Sequence, residues 1–300
     1  MFTLAHLSDP HLAPLPAPRL ADLASKRVLG WAHWRRTRHR IHRAERVEAL
    51  VRDLEAQAPD HVAVTGDLVN IALAAEFPQA RAWLQTLGPP HDVTLVPGNH
   101  DAYVRAALAD HTTHWGEFMR GDDNATPALA FPFVRRRGPL ALIGLTSAVA
   151  TGPFMATGRL GPEQIARLET LLPRLAGHFR VVLIHHPPGR SRSGRFKRLT
   201  DAPALRAALA RRGAELVLHG HDHVHALDWL PGPRGPIAAL GVPSASAAPL
   251  EGHHVEPAAY NLYRVDGSAG AWRCEAVTRG FCADADGIAE LERRELTIPG

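Results

Sequence analysis

Cysteine is scarce in this sequence of 300 residues, which contains only Cys274 and Cys282. The two thiols lie near the C-terminal end and match no zinc-ligand spacing. Two cysteines in a chain of this length do not build a disulfide framework either. We therefore expect free thiols in a reducing compartment.

The sequence also lacks a long hydrophobic run. Its most apolar stretch, residues 140–156, is interrupted by glycine, proline and hydroxyl residues, and it falls short of the ~20 apolar residues that a membrane-spanning helix needs. The N-terminus shows no charged region followed by an apolar core, so no signal peptide is expected. Together with the free thiols, these absences favour a cytoplasmic protein.

The composition is that of a globular protein, with 45% hydrophobic and 21% charged residues. Histidine is frequent at 19 residues, which raises the odds of metal chemistry, and the net charge of +4 suits anionic partners. Neither an internal repeat nor a polar linker divides the chain. We expect one domain over 1–283 and a C-terminal tail over 284–300 with a short helical pattern.

Aliphatic runs alternate with stretches of helical period along the first three quarters of the chain, which predicts an α/β fold. The runs interpreted as strands are 2–7, 61–65, 93–96, 140–145, 181–184 and 215–218, and the helical stretches are 43–58, 75–87, 162–176 and 202–212. Antiparallel strands are predicted beyond them, at 228–230, 238–241, 260–265 and 272–278. These strands predict a second sheet near the C-terminal end.

Short polar motifs follow five of the predicted strands, at the point where each strand ends. Ligands of open α/β sheets gather beyond the carboxyl ends of the strands, so we expect these side chains to converge. Oxygen and nitrogen donors without thiolates suit Mn, Fe, Zn or Mg. Each motif alone is typical of an ordinary turn, and the prediction of a metal site depends on the whole set. The motifs are Ser8-Asp9-Pro10-His11, Thr65-Gly66-Asp67, Pro97-Gly98-Asn99-His100-Asp101, His185-His186-Pro187-Pro188 and His219-Gly220-His221-Asp222-His223.

The order of these motifs resembles the calcineurin-like metallophosphoesterase superfamily, whose pattern runs D-x-H, G-D, G-N-H-[DE], a lone histidine and G-H-x-H. All five blocks are present between Asp9 and His223, over about three quarters of the chain. The resemblance implies a four-layer α-β-β-α sandwich, with two mixed β-sheets flanked by helices and two divalent metal ions above the strand ends. The implied ligands are Asp9, His11 and His223 for the first ion, Asn99, His185 and His221 for the second, and Asp67 as the bridge.

The mechanism implied by the resemblance is direct hydrolysis of a phosphate ester by a metal-activated hydroxide. His100 matches the catalytic histidine of the family, which stabilises the transition state or protonates the leaving oxygen. Well-known phosphatases of the family orient this histidine with a second aspartate, but Asn70 occupies that position here. Asp101 is the alternative source of the missing negative charge and is therefore a second catalytic candidate.

Among the branches of the superfamily, a compact chain with His-His-Pro-Pro and Gly-His-Asp-His looks most like the bacterial cyclic-nucleotide or broad-specificity phosphodiesterases. The alternative is a pyrophosphatase or phosphatase of a lipid-linked or nucleotide substrate. A non-catalytic scaffold is the least favoured interpretation, because scaffolds of this fold lose ligands and every ligand position is filled here. No nucleic-acid polymer is expected as a partner.

A basic segment at 26–43 interleaves arginines with Trp31 and Trp34 directly after the first motif. Its pattern indicates an insertion that could cover the active site as a lid, or touch an anionic membrane surface. The alternative is a solvated basic helix packed through its tryptophans. Candidates for substrate contact are His186, Asn70, Arg35, Arg36 and Arg190, although His186 could equally be a supporting or structural residue.

Overall fold

Two six-stranded sheets organise the chain in this computed structural model, which describes residues 1–123, 129–189, 191–192, 194–282 and 287–298. The strands are β1 (Phe2–Leu7), β2 (His61–Val64), β3 (Val93–Leu95), β4 (Phe133–Arg137), β5 (Leu140–Gly144), β6 (Phe179–Leu183), β7 (Leu216–His219), β8 (Ala226–Leu230), β9 (Ile237–Gly241), β10 (Ala259–Asp266), β11 (Arg273–Phe281) and β12 (Ile288–Leu296).

Helices flank both sheets. They are α1 (Arg27–His33), α2 (His39–Ile41), α3 (Ala44–Ala56), α4 (Glu76–Leu87), α5 (Ala107–Trp115), α6 (Pro162–Leu171) and α7 (Ala202–Arg212). A π-helical turn over Trp34–Arg38 joins α1 to α2. In α3, Val47, Leu50, Val51 and Leu54 are buried at helical spacing, which explains how this helix packs one face on the body. Among the described residues, no helix is both long and apolar enough to cross a bilayer.

The first sheet has the order β12-β11-β10-β1-β2-β3, and the second has the order β4-β5-β6-β7-β9-β8. Strands β1 to β3 run parallel, as do β5, β6, β7 and β9, whereas the remaining strands pair antiparallel. The predicted α/β fold with two mixed sheets flanked by helices is confirmed.

The alternation of side chains along each strand separates two cores. In β5, Leu140 and Leu142 belong to the core that includes side chains of the first sheet, whereas Ala141 and Ile143 belong to a core with α6 and α7. Because both faces are buried, the sequence of this strand is a continuous apolar run, which is typical of parallel strands covered on both sides.

Two expectations about the C-terminal part are wrong. The late strands do not form a sheet of their own, because β8 and β9 complete the second sheet and β10 and β11 complete the first. The helical pattern predicted within 284–300 is also wrong for the described residues 287–298. There, β12 pairs antiparallel with β11, so this part of the predicted tail belongs to the first sheet.

Candidate metal centre

The polar residues that follow β1, β2, β3, β6 and β7 meet at one place between the two sheets. Asp67 lies at the centre of the group. Its Oδ2 is 3.8 Å from Nε2 of His11 and 3.3 Å from Nε2 of His185. One carboxylate oxygen therefore lies within reach of histidines contributed by both sheets, which is the position that a bridging ligand needs.

On one side of Asp67, Asp9 and two imidazoles face each other. Nε2 of His223 lies 3.1 Å from Oδ1 of Asp9, and Nε2 of His11 lies 3.3 Å from Nε2 of His223. A third imidazole, that of His42, has a ring nitrogen within 4.8 Å of the ring nitrogens of His11 and His223. The sequence analysis did not single out His42, because this residue belongs to none of the five motifs.

On the other side of Asp67, Nε2 of His185 lies 3.1 Å from Oδ1 of Asn99 and 3.3 Å from Nδ1 of His221. The structure thus brings together all seven residues predicted as metal ligands and divides them into the two sets that the resemblance implied. The number and identity of the ions remain a proposal.

Backbone carbonyls orient three of these imidazoles. Nδ1 of His11 lies 3.1 Å from the oxygen of Val69, and Nδ1 of His185 lies 2.6 Å from that of Thr65. Nε2 of His221 contacts the oxygen of Lys197 at 2.6 Å. Because a carbonyl oxygen only accepts, each of these ring nitrogens donates its hydrogen, and the opposite nitrogen is directed toward the centre. Metal-binding histidines are typically held in this way, so the donor set fits a cation.

Five of the seven predicted ligand residues have a costly backbone conformation. Of the eight non-glycine residues with positive φ among those described, five are predicted ligands, and their φ angles lie between 37° and 72°. Such residues cost ~1–3 kcal/mol each and concentrate at functional sites. The five are Asp9, His11, Asp67, His221 and His223.

Two glycines allow the backbone to approach the carboxylates. A Cβ atom on Gly98 would lie 2.2 Å from Oδ1 of Asp67, and one on Gly220 would lie 2.3 Å from Oδ2 of Asp9. Both distances are far below van der Waals contact, so any side chain there would displace a ligand. This explains why glycine precedes Asn99 and His221 in the two motifs.

The field at the centre favours positive charge. Burial opposes ionisation of Asp67, but His185 and His100 outweigh it and hold the pKa of this carboxyl well below its usual range. Burial likewise lowers the pKa of His185, but Asp67 and Asp9 raise it to about 10. The same negative potential would stabilise divalent cations bound between these groups.

Asp101 serves the site differently from the sequence prediction. Its buried carboxylate accepts hydrogen bonds from the backbone N–H groups of Asp67, Leu68 and Gly98 at 2.8 Å and of Val69 at 3.3 Å. Burial and the neighbouring Asp67 raise its pKa to about 7. The carboxylate is thus directed at the loop that carries Asp67, and it is not the partner of the His100 ring.

His100 instead contacts the backbone of Asn70. Its Nδ1 donates to the Asn70 carbonyl oxygen, and its backbone N–H donates to Oδ1 of Asp67 at 2.6 Å. The Asn70 side chain points away and donates to the oxygen of Leu12 at 2.9 Å. Burial lowers the pKa of His100 to about 4, so the imidazole is neutral at neutral pH.

The other predicted substrate contacts divide into three cases. His186 is fully buried, with Nδ1 2.7 Å from Oγ of Ser147 and Nε2 3.1 Å from the oxygen of Ala156, so both ring nitrogens are occupied by the protein. Arg35 and Arg36 are exposed. Arg190 lies outside the described residues.

A cleft of about 400 Å³ opens beside the centre, and Asn99 and His100 form part of its wall. The segment predicted as a lid supplies Trp34 and Arg38 to the lining. Trp34 and Arg38 are four residues apart, so helical period could have placed them on one face, opposite Arg35 and Arg36. Of the arginines in this segment, Arg38 lines the cleft, and Arg35 and Arg36 do not.

Comparisons with known proteins agree with this architecture. Residues 2–225 match the family model described as calcineurin-like phosphoesterase. The glycerophosphodiester phosphodiesterase GpdQ of Enterobacter lignolyticus (strain SCF1) is 28% identical over 162 residues, which are 52% of this chain and 54% of that protein. The match therefore extends over about half the length of this curated relative.

Two solved structures share the fold. Purple acid phosphatase PPD1 from yellow lupin seeds superposes with a TM-score of 0.65 at 12% identity, over 98% of this chain and 53% of that chain. The 5'-nucleotidase precursor from Thermus thermophilus gives a TM-score of 0.50 at 16% identity, over 92% of this chain and 54% of that chain. At these identities the likeness concerns the fold alone.

Proposed function

Because the chain belongs to the calcineurin-like phosphoesterase family, we propose that it hydrolyses a small phosphodiester at a centre of two divalent cations. The observation that carries the proposal is the position of Asp67, whose Oδ2 lies between His11 and His185. Asp9, His11 and His223 would hold one cation, and Asn99, His185 and His221 the other.

Two cations bound there would supply hydroxide at neutral pH and neutralise charge on the phosphoryl oxygens. The residues of the chain orient the ester against them. Asn99 and His100 line the cleft. Because Nδ1 of His100 donates to the Asn70 carbonyl oxygen, Nε2 would donate to a phosphoryl oxygen or the leaving oxygen in the imidazolium form. An anionic substrate beside the ring would raise the pKa of His100 and so favour that form. Histidines in this position typically contribute about 10²–10⁴-fold to the rate.

A diester substrate is supported by the likeness to a curated phosphodiesterase, which by its name acts on glycerophosphodiesters. The expected substrates are cyclic nucleotides or other small diesters with one negative charge on phosphorus. The cleft of about 400 Å³ is large enough for a molecule of this size.

A second candidate, hydrolysis of a lipid-linked phosphate or pyrophosphate, is favoured by the mouth of the cleft. Leu29, Phe154 and Met155 line it and are 40%, 86% and 43% exposed. Exposed apolar side chains that adjoin basic ones suit an amphiphilic substrate or an anionic membrane surface. On this candidate, turnover would require detergent or lipid.

The decisive experiment compares bis(p-nitrophenyl) phosphate with p-nitrophenyl phosphate, using metal-stripped protein refilled with Mn and Asn99→Ala as the control. We expect Mn-dependent cleavage of the diester that the variant loses. Cleavage mainly of the monoester would reassign the protein as a phosphatase. Inactivity toward both, with cleavage of a lipid pyrophosphate in detergent, would favour the second candidate.

The role of His100 is tested by the leaving group. A p-nitrophenolate departs without a proton, whereas an alkoxide needs one. If His100 assists the leaving oxygen, His100→Asn should slow cleavage of a methyl p-nitrophenyl diester at the P–O-aryl bond much less than cleavage of a dialkyl diester. Equal losses with both substrates would limit His100 to contact with the phosphoryl oxygens.

A further inference from the structure

Arg38 is a half-buried residue, and two nitrogens of its guanidinium make no hydrogen bond within the described residues. Its Nε and Nη2 are inaccessible to solvent and have no hydrogen-bond partner within the described ranges. Buried polar groups in proteins are nearly always hydrogen-bonded, and a buried charge without a partner is expensive. An arginine in this state requires an explanation other than stability.

The location of Arg38 indicates what its partner would be. Its side chain lines the same cleft as Asn99 and His100. Its charge is close enough to the metal centre to lower the pKa of both His11 and His42, in addition to the effect of their burial. The guanidinium thus faces the space between the cleft and the metal ligands.

Tertiary contacts fix the backbone on both sides of Arg38. Downstream, Arg43 N–H donates to the oxygen of Ser246 at 2.9 Å, and Ala248 N–H donates to the oxygen of Ile41 at 2.8 Å. Upstream, the Trp34 ring is stacked parallel to His42 at an interplanar angle of 6°. Arg38 ends the π-helical turn between α1 and α2, a distortion that is frequent at functional sites.

The charges around Arg38 indicate that the molecule bound beside it is an anion. Divalent cations at Asp67 would repel a guanidinium in the same cavity, so both positive groups can be stabilised together only by an anion between them. A guanidinium matches phosphoryl oxygens in geometry as well as in charge, because its N–H groups form a planar fork. Among the described residues, the carboxylates whose charges act on Arg38 are already engaged. Asp9 and Asp67 contact His223, His185 and backbone N–H groups. Glu76 accepts hydrogen bonds from backbone N–H groups within 70–73.

We propose that the guanidinium of Arg38, whose side chain lines the cleft, binds a phosphoryl oxygen of the substrate. The assignment rests on the proposed function, because it takes the metal centre as the place where the phosphorus is attacked. It makes Arg38 a residue that contacts the substrate, and it gives the basic segment 26–43 a specific role in recognising the phosphate.

The test measures binding of inorganic phosphate to the Mn-loaded protein by isothermal titration calorimetry. Variants are Arg38→Met, Arg38→Lys and, as a matched control on the same basic segment, the exposed Arg40→Met. Loss of a charge-assisted contact should weaken phosphate binding about 10–100-fold in Arg38→Met. Arg38→Lys should lose less, because it keeps the charge without the fork, and Arg40→Met should bind like the wild type.

Metal content and thermal unfolding separate this role from a structural one. We expect Mn content to stay at the wild-type value and Tm not to fall in either Arg38 variant, since an unpartnered buried charge does not stabilise the fold, while KM for bis(p-nitrophenyl) phosphate rises. Should Arg38→Met fail to fold, Arg38→Lys carries the same comparison. A phosphate affinity of Arg38→Met equal to that of Arg40→Met would overturn the proposal. If the protein proves inactive on esters but still loses phosphate binding with Arg38, the proposed function fails and the assignment of the phosphate site stands.

Discussion

Replacing Asp101 with asparagine tests whether this buried carboxylate positions the metal-bridging loop. Oδ1 accepts from the N–H groups of Leu68 and Val69, and Oδ2 accepts from those of Asp67 and Gly98. An asparagine keeps the shape but only one of the two acceptor oxygens. In either orientation, two backbone N–H groups then face an NH₂ group and lose their acceptor.

The magnitude follows from these contacts. Hydrogen bonds to a charged group contribute about 1.5–3 kcal/mol each, so two of them amount to about 3–6 kcal/mol. The substitution also removes a buried negative charge beside Asp67, which offsets part of the loss. We expect Asp101→Asn to lower the free energy of unfolding by about 2–4 kcal/mol, which corresponds to a decrease of roughly 3–6 °C in Tm for a domain of this size.

The metal centre should weaken as well, because the N–H of Asp67 is one of the groups held by Asp101. Groups that orient metal ligands typically change affinity about 10–100-fold when they are replaced. Thermal unfolding by circular dichroism gives the stability, and Mn titration followed by electron paramagnetic resonance gives the affinity. Asp92→Asn is the control, since the Asp92 side chain is half exposed.

The same experiment separates positioning from catalysis. If Asp101 were the charged partner of His100, as its place in the sequence suggested, Asp101→Asn would lower kcat and leave Tm and Mn affinity unchanged. That result, or a variant indistinguishable from Asp92→Asn in all three measurements, would refute the reasoning from the four hydrogen bonds.

Three further predictions concern other parts of the molecule. Burial lowers the pKa of Lys26 to about 8, so the cleft loses a positive charge above pH 8; KM for an anionic ester should rise there in the wild type, and an equal rise in Lys26→Met would contradict this. Gly98→Ala should abolish Mn binding in a calorimetric titration, whereas Gly177→Ala, where a Cβ meets nothing within 4 Å, should not. Burial raises the pKa of the Cys274 thiol to about 12, so dithiobis(nitrobenzoate) should titrate Cys282 alone in the native protein and both thiols in denaturant.

The clustering of the candidate ligand residues could be predicted from the sequence because they lie in short motifs directly after apolar strands. The residues that directly follow a buried strand lie at the carboxyl edge of its sheet. Ligands of α/β sheets bind at this edge, so the pattern of each strand is enough to predict that Asp9, Asp67 and His185 lie near one another. In the structure Asp67 lies 3.3 Å from His185. Helices separate the successive strands from β1 to β7 except β4 and β5, which pair directly with each other.

The destination of the C-terminal strands was decided by tertiary structure. Residues 288–296 are rich in Glu, Arg and Leu, which favour helix. The free edge of β11 offers a ladder of hydrogen bonds and ion pairs such as Arg293 with Glu275 at 2.6 Å, and these contacts outweigh the local preference. The periodicity of a local sequence does not indicate which strand, remote in the chain, a segment will pair with.

The roles of the polar residues around the ligands also depended on tertiary structure. Asp101 and Asn70 were interpreted as partners of His100 because they are close to the motif in sequence, yet their side chains turn toward the backbone of 67–69 and of Leu12. Arg38 was one arginine among several in a basic segment, and only burial distinguishes it. The sequence determines which polar side chains are present at the carboxyl edge of the sheet. The direction and the burial of each side chain are decided only when remote segments pack against it.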